Sequence, residues 1–179
     1  MEQISILIAE DEPVVAADLT ETLGNLGYRV YDFVTTGEEA VTAAAGLNPD
    51  LVLMDIILAG KMDGIAAAGA IQKNQGIPVI FLTAHNDRAT FARAKETGPY
   101  GYLIKPLNLN DIYSTVETAL HRRGLEEKLR RSEELFRTVV DFTADREYWT
   151  GPDGRFVYCS PSCTELTGYG SDEFMANPA

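Results

Sequence analysis

Side chains able to act together stand at four places in the first 105 residues: the acidic run Glu10-Asp11-Glu12, Asp55, Thr83 and Lys105. Carboxylates at 10, 11 and 55 repel one another if they share a pocket, and a hard cation such as Mg²⁺ relieves that repulsion through oxygen ligands. Thr83 offers a hydroxyl, and Lys105 offers a mobile point charge. A cation, a hydroxyl and an ammonium can neutralise the three oxygens of a phosphoryl group, which leaves Asp55 as the nucleophile. The chemistry described by this set is a phosphoryl group held on a carboxylate.

Such a set works only if the chain brings its members to one place, and the flanking sequence does that. Leu51-Val52-Leu53-Met54 runs straight into Asp55 and is apolar on both alternations, the pattern of a strand buried on both faces of a parallel sheet. Residues 4–9 form a similar strand that ends at Glu10. Residues 28–34 read as a second strand, 77–82 as a fourth ending at Thr83-Ala84, and 100–104 as a fifth ending in Lys105-Pro106. Helices fall between them. Pro13 opens the first, with Val14, Val15, Leu19, Leu23 and Leu26 at helical spacing. Thr36-Gly37 opens an Ala-rich second, a third runs from Gly64 through Ile71, and a fourth from about Asp87 to Glu96. Asn110-Asp111 caps a last helix beginning near Ile112. Strands alternating with helices of this length predict a doubly wound α/β fold on a parallel sheet. With five strands in the flavodoxin-like order 2-1-3-4-5, the ends of strands one, three, four and five line one edge. Ligands and chemistry sit at the carboxyl ends of strands in such sheets.

Composition narrows the function classes. The chain has 179 residues, is 45% hydrophobic and 23% charged, and carries a formal net charge of −12. That charge argues against a nonspecific nucleic-acid partner, which needs a basic face. No apolar run reaches the roughly 18–20 residues that span a membrane, and Met1-Glu2-Gln3 lacks the basic start of a signal peptide. Cys159 and Cys163 supply no disulfide framework, so the expected setting is the reducing cytoplasm.

The motifs resemble those of response-regulator receiver domains of two-component signalling: an acidic pair after the first strand, an acceptor Asp after the third, Thr-Ala after the fourth and Lys-Pro after the fifth. Met62-Asp63-Gly64 fits the family's loop. The resemblance covers residues 1–120. It implies that a histidine kinase or phosphotransfer protein donates a phosphoryl group to Asp55, with Mg²⁺ as cofactor. Asp11, Asp55 and the backbone carbonyl of Ile57 would ligate the metal, with Glu10 acting through water. Thr83 and Tyr102 would form a switch that alters the face of the fourth helix, fifth strand and fifth helix. Ile57 and His85 occupy positions that tune hydrolysis of the acyl phosphate. An apolar Ile57 has no group to position an attacking water, so slow dephosphorylation is expected. No enzymatic activity is expected beyond self-phosphorylation and dephosphorylation. Two departures touch no ligand: the loop between Asp55 and Gly64 is one residue longer than the commonest form, and Ala59 stands in place of a usual Pro. Pro99, before the fifth strand, stands where small residues are usual.

Beyond residue 120 the character changes. Residues 121–140 read as a helical linker in which Leu125, Leu129, Ser132, Phe136 and Val139 are spaced 4, 3, 4, 3, a short heptad seam. Gly124 breaks its phase with Val116 and Leu120. The seam is read either as a solvated linker or as a homodimer contact. Residues 141–179 contain a hairpin signal, Glu147-Tyr148-Trp149 and Arg155-Phe156-Val157-Tyr158 about Gly151-Pro152-Asp153-Gly154. From about Ser132 the chain is similar to the opening of a PAS sensor domain. This fragment is α+β and too short to bury a core alone. The resemblance implies a multi-domain parent, such as a hybrid sensor histidine kinase.

Two other functions compete with the phosphoacceptor. One is a receiver-like interaction or dimerisation module that works without phosphate, against which the complete set of site residues argues. The other is a phosphohydrolase of the haloacid dehalogenase type, which needs Asp-x-Asp where this chain has Asp55-Ile56-Ile57. His121 lacks the neighbours of a phosphorelay histidine.

Overall fold

The structure, a computed structural model, describes residues 3–84, 88–141, 148–153 and 155–159. These fall into two compact units, Met1–Gly124 and Leu125–Ala179.

In the first unit the elements follow in the order β1 (Ser5–Ala9), α1 (Pro13–Asn25), β2 (Arg29–Val30), α2 (Gly37–Leu47), β3 (Leu51–Asp55), α3 (Gly64–Gln75), β4 (Val79–Ala84), α4 (Arg88–Glu96) and β5 (Gly101–Lys105), then the start of α5 (Leu109–Asp141). All the sheet pairings are parallel and the strand order is β2-β1-β3-β4-β5. This is the flavodoxin-like order.

The apolar runs explain the two layers. Leu7, Ala9, Val52, Met54, Val79 and Phe81 point to one face and pack with Ala40 and Ala44 of α2 and Ile65, Ala67, Ala68 and Ile71 of α3. Ile6, Ile8, Leu51, Leu53, Ile80, Leu82 and Leu103 point to the other, against Leu19 and Leu23 of α1 and Ile112, Val116 and Ala119 of α5. The two-residue alternation of a strand thus supplies both cores at once, so each central strand is apolar throughout. β1 and β3 are buried at every position.

Several boundaries differ from the sequence expectation, each for a local reason. β2 has only two residues, although Tyr31 and Val34 still donate to the carbonyls of Ile6 and Ile8. Asp32 accepts a bond from the amide of Phe33, a local alternative that interrupts regular pairing. α3 continues past Ile71 to Gln75 and ends at Gly76, whose φ of +66° suits the left-handed cap. α5 begins at Leu109, because Asn108 and not Asn110-Asp111 caps it. Its Oδ1 accepts from the amide of Asp111 at 2.9 Å. Gly124 lies inside α5 and does not end it.

In the second unit, β6 (Tyr148–Thr150) and β7 (Phe156–Cys159) form an antiparallel hairpin with an irregularity between Trp149 and Thr150. Trp149 stacks between Tyr158, at 5.3 Å between ring centroids, and Phe136 of α5, at 4.8 Å. The seam residues Leu125, Leu129 and Ser132 are exposed, while Phe136 has this aromatic partner. Val139's side chain and residues 160–179, including Ser160 and Cys163, lie outside the described residues. No helix among the described residues is long and apolar enough to cross a membrane.

Candidate functional site

The sheet register gathers the candidate residues at one edge. Ala9 pairs with Met54, so Glu10 and Asp55 leave their strands side by side. Asp55 is level with Leu82, Thr83 follows, and Lys105 is level with Ala84. Asp11, Glu12, Asp55, Ile57, Thr83, Thr90 and Lys105 line a cleft of about 350 Å³ over that edge.

Lys105 is the centre of the ion pairing. Its Nζ lies 2.5 Å from Asp55 Oδ2, and 3.0 and 2.8 Å from the two Glu10 oxygens, while Glu12 is at 3.8 Å. Burial opposes its charge, but the bonds to Asp55 and Glu10 outweigh that and hold the ammonium above its usual range. Glu10 is fully buried. Burial pushes its carboxyl up and the charge of Asp55 adds to this, against the bonds from Lys105 and from the amide of Glu12. Asp55 is 8% exposed, and its Oδ1 accepts from the amide of Ile57 at 2.9 Å.

The donor set fits a divalent cation. An oxygen from each of Glu10, Asp11 and Asp55 lies within 4.8 Å of the others. Among the described residues Lys105 is the one cation bonded to this cluster, so the acids when ionised leave negative charge in excess. Oxygen donors of this kind suit Mg²⁺. Asp11 is exposed at the mouth, where it is open to a hydrated ion, and Glu10 lies behind it.

The loop after β3 is fixed from both sides. Residue 59 pairs with Thr36, and the amide of Lys61 donates to Glu38 at the start of α2. At its other end, Asp63 caps α3 through the amide of Ala66 at 2.8 Å and takes Arg93 of α4 at 2.7 Å. Gly64 approaches so closely that a Cβ there would lie 1.8 Å from the carbonyl oxygen of Asp55. The main chain of the candidate acceptor therefore rests directly on α3.

The remaining sequence candidates fall as follows. Thr83 lines the cleft, but its hydroxyl donates to the carbonyl of Ala84 at 3.1 Å. Tyr102 packs inward against Phe81 and Phe91, with ring centroids 6.0 and 4.5 Å away. Among the described residues its hydroxyl is buried without a hydrogen-bond partner, and burial raises its pKa. The side chain of Ile57 is 74% exposed at the cleft. His85 lies outside the described residues.

Sequence reasoning did not single out Glu12, Thr90 or the Asp63–Arg93 pair. The acidic run contained the first, and no spacing in the sequence pointed to the second, because Thr83 ends β4 while Thr90 lies on α4. Nothing in the sequence signals a pair 30 residues apart.

Comparison with known proteins gives consistent matches. The family model described as "Response regulator receiver domain" matches residues 6–117. The transcriptional regulatory protein PdtaR of Mycobacterium tuberculosis is 38% identical over 117 residues, which is 65% of this chain and 57% of that protein. The chain thus spans well under two thirds of that curated relative. Among solved structures, the signal receiver domain of a modulated diguanylate cyclase from Desulfovibrio desulfuricans G20 is 40% identical. It has a TM-score of 0.67 and covers 70% of this chain and 99% of its own. The receiver domain of sensor histidine kinase PA1611 from Pseudomonas aeruginosa PAO1, with a magnesium ion coordinated in its active-site cleft, is 30% identical. Its TM-score is 0.61, covering 67% of this chain and 99% of its own.

Proposed function

Because the chain belongs, through residues 6–117, to the response regulator receiver family of two-component signalling, we propose that Asp55 accepts a phosphoryl group from a phosphohistidine of a kinase or phosphotransfer protein. The observation that carries this reading is the Lys105 bridge between Glu10 and Asp55, with Asp11 beside them at the sheet edge.

In the proposed step an oxygen of Asp55 forms a bond to phosphorus while the phosphorus–nitrogen bond of the donor breaks. The electron pair returns to the imidazole. Asp11, Asp55 and the carbonyl of Ile57 would hold Mg²⁺, with Glu10 acting through water. The ion would supply charge neutralisation to the phosphoryl oxygens. Lys105 has a flexible stem, so its ammonium can move from Asp55 Oδ2 to a phosphoryl oxygen without leaving Glu10. Thr83 would exchange its bond to the Ala84 carbonyl for one to the phosphoryl group. That exchange biases Tyr102, and with it α4, β5 and the start of α5. The chain itself turns over no external substrate on this reading.

The hairpin and its aromatic stack support a sensor module of PAS type after the receiver, in a multi-domain parent. Incubation with acetyl phosphate and Mg²⁺, followed by intact mass, tests the reaction. An adduct of HPO₃ mass is expected in the wild type, but not in Asp55→Ala or with chelator. An adduct that survives Asp55→Ala, or none in the wild type, would favour the phosphate-independent interaction module.

A further inference from the structure

The ion pairs of α5 beyond Gly124 are distributed unevenly round the helix. With Leu125 and Ser132 at d and Leu129 and Phe136 at a, Glu127 and Glu134 fall at f and Arg130 at b. Those three pair with one another at 2.6 and 2.7 Å. These three outer-face charges are therefore satisfied within the helix. The positions flanking the seam differ: Lys128 falls at g and Glu133 at e. Neither makes an ion pair among the described residues. Between them Leu125 and Leu129 are 52% and 61% exposed, and Leu135 at the next g position is 65% exposed.

In a parallel two-stranded coiled coil the g residue of one helix faces the e residue five positions later on the other. Lys128 and Glu133 are five residues apart and of opposite charge. A two-fold axis makes this pair twice, which closes the assembly as a dimer. An antiparallel partner would set g against g and e against e, placing lysine against lysine and glutamate against glutamate. We propose that the seam of α5 from Leu125 to Phe136 binds a second copy of this chain in parallel, in register, through Leu125 and Leu129 with reciprocal Lys128–Glu133 pairs.

The structure also sets the limits of this contact. Phe136 is stacked on Trp149 of its own chain, so the seam is shared with the hairpin at its far end. Ser132 supplies no apolar contact at the middle d position. About two heptads with one polar layer make a weak, concentration-dependent dimer.

Sedimentation of the 179-residue chain across concentrations up to about 0.5 mM tests the proposal. A monomer–dimer equilibrium is expected. Lys128→Glu alone and Glu133→Lys alone each turn two attractions into two repulsions and should weaken the dimer about tenfold. The double reversal should restore it. Both positions are solvent-facing, and far-UV circular dichroism checks that helix content is kept. In a separate variant, Leu129→Cys, mild oxidation should join the introduced thiols of two copies to each other, as mapped by peptide mass. A monomer throughout, a double reversal no tighter than the single ones, or cross-linking only between the introduced thiol and Cys159 or Cys163 would overturn it.

Discussion

Gly64→Ala separates a structural account of Asp55 from a merely compositional one. A Cβ at position 64 would sit 1.8 Å from the Asp55 carbonyl oxygen, 2.9 Å from its carbonyl carbon and 3.2 Å from the Ile56 Cα. All three are main-chain atoms, so no side chain can swing aside. To restore ordinary contact, the acceptor backbone must retreat by about 1.6 Å from the start of α3. Overpacking of this kind costs about 1–3 kcal/mol. The helix-forming advantage of Ala offsets up to about 1 kcal/mol, and less at the first helical residue. A net loss of about 2 kcal/mol is expected, which corresponds to a fall of roughly 6–10 °C in Tm for a unit of this size. Displacement on that scale exceeds what a catalytic constellation tolerates, so phosphoryl acceptance by Asp55 should fall about a hundredfold.

Gly69→Ala is the control in the same helix, because its nearest neighbour would be Thr97 Cγ2 at an ordinary 3.9 Å. It should be neutral or stabilising by up to about 1 kcal/mol. Denaturation is best followed by far-UV circular dichroism, since the single tryptophan, Trp149, lies in the other unit and reports on that. Acceptance is read from acetyl phosphate labelling by intact mass. If Gly64→Ala were as stable as Gly69→Ala, or were labelled at the wild-type rate, the packing of α3 on Asp55 would not position the acceptor.

Three further outcomes follow from the same geometry. The exposed, apolar Ile57 side chain gives water no polar partner, so Ile57→Asn should shorten the lifetime of the acyl phosphate several-fold. A time course of intact mass after removal of acetyl phosphate decides this, and decay no faster than wild type would refute it. Asp63→Ala removes the cap of α3 and should cost about 1 kcal/mol by urea titration. Burial alone would raise the Asp63 carboxyl, but the Ala66 amide and Arg93 hold it below its usual range. Its contribution is therefore complete above about pH 4 and is lost as pH falls through the folded-state value. The stability gap between wild type and Asp63→Ala should close on acidification, and a gap that widened would show the sign to be wrong. Tyr28→Phe deletes a 2.6 Å bond to Glu117 from a residue only 9% exposed, and should cost about 1 kcal/mol in the same titration.

The sheet was legible because its information is local. A strand buried on both faces must be apolar at every position, and Leu51–Met54 and residues 4–9 say so without help from the rest of the chain. The polar residues that end those strands were legible for the same reason, since a carboxylate next to a fully buried run needs a partner. β2 was overestimated because Asp32 and Phe33 offer the main chain a local alternative that strand patterning does not register. The cap of α5 was misplaced by two residues because Asn108 and Asn110 are equally good candidates until the helix direction is known.

What escaped sequence reading is the set of contacts that depends on how far apart the finished elements stand. Lys105 was expected beside Asp55, but its second hold, on the buried Glu10, requires the actual spacing of β1 and β5 across β3 and β4. That spacing matters chemically. A lysine shared between two carboxylates can shift toward a new anion on Asp55 while Glu10 still compensates its charge, whereas a lysine paired with Asp55 alone would have to exchange its one partner. Glu10 at the first acidic position thus holds the lysine as well as belonging to the acidic cluster. It keeps Lys105 in the cleft from a position of complete burial, which raises its own carboxyl while the bond from Lys105 opposes that rise.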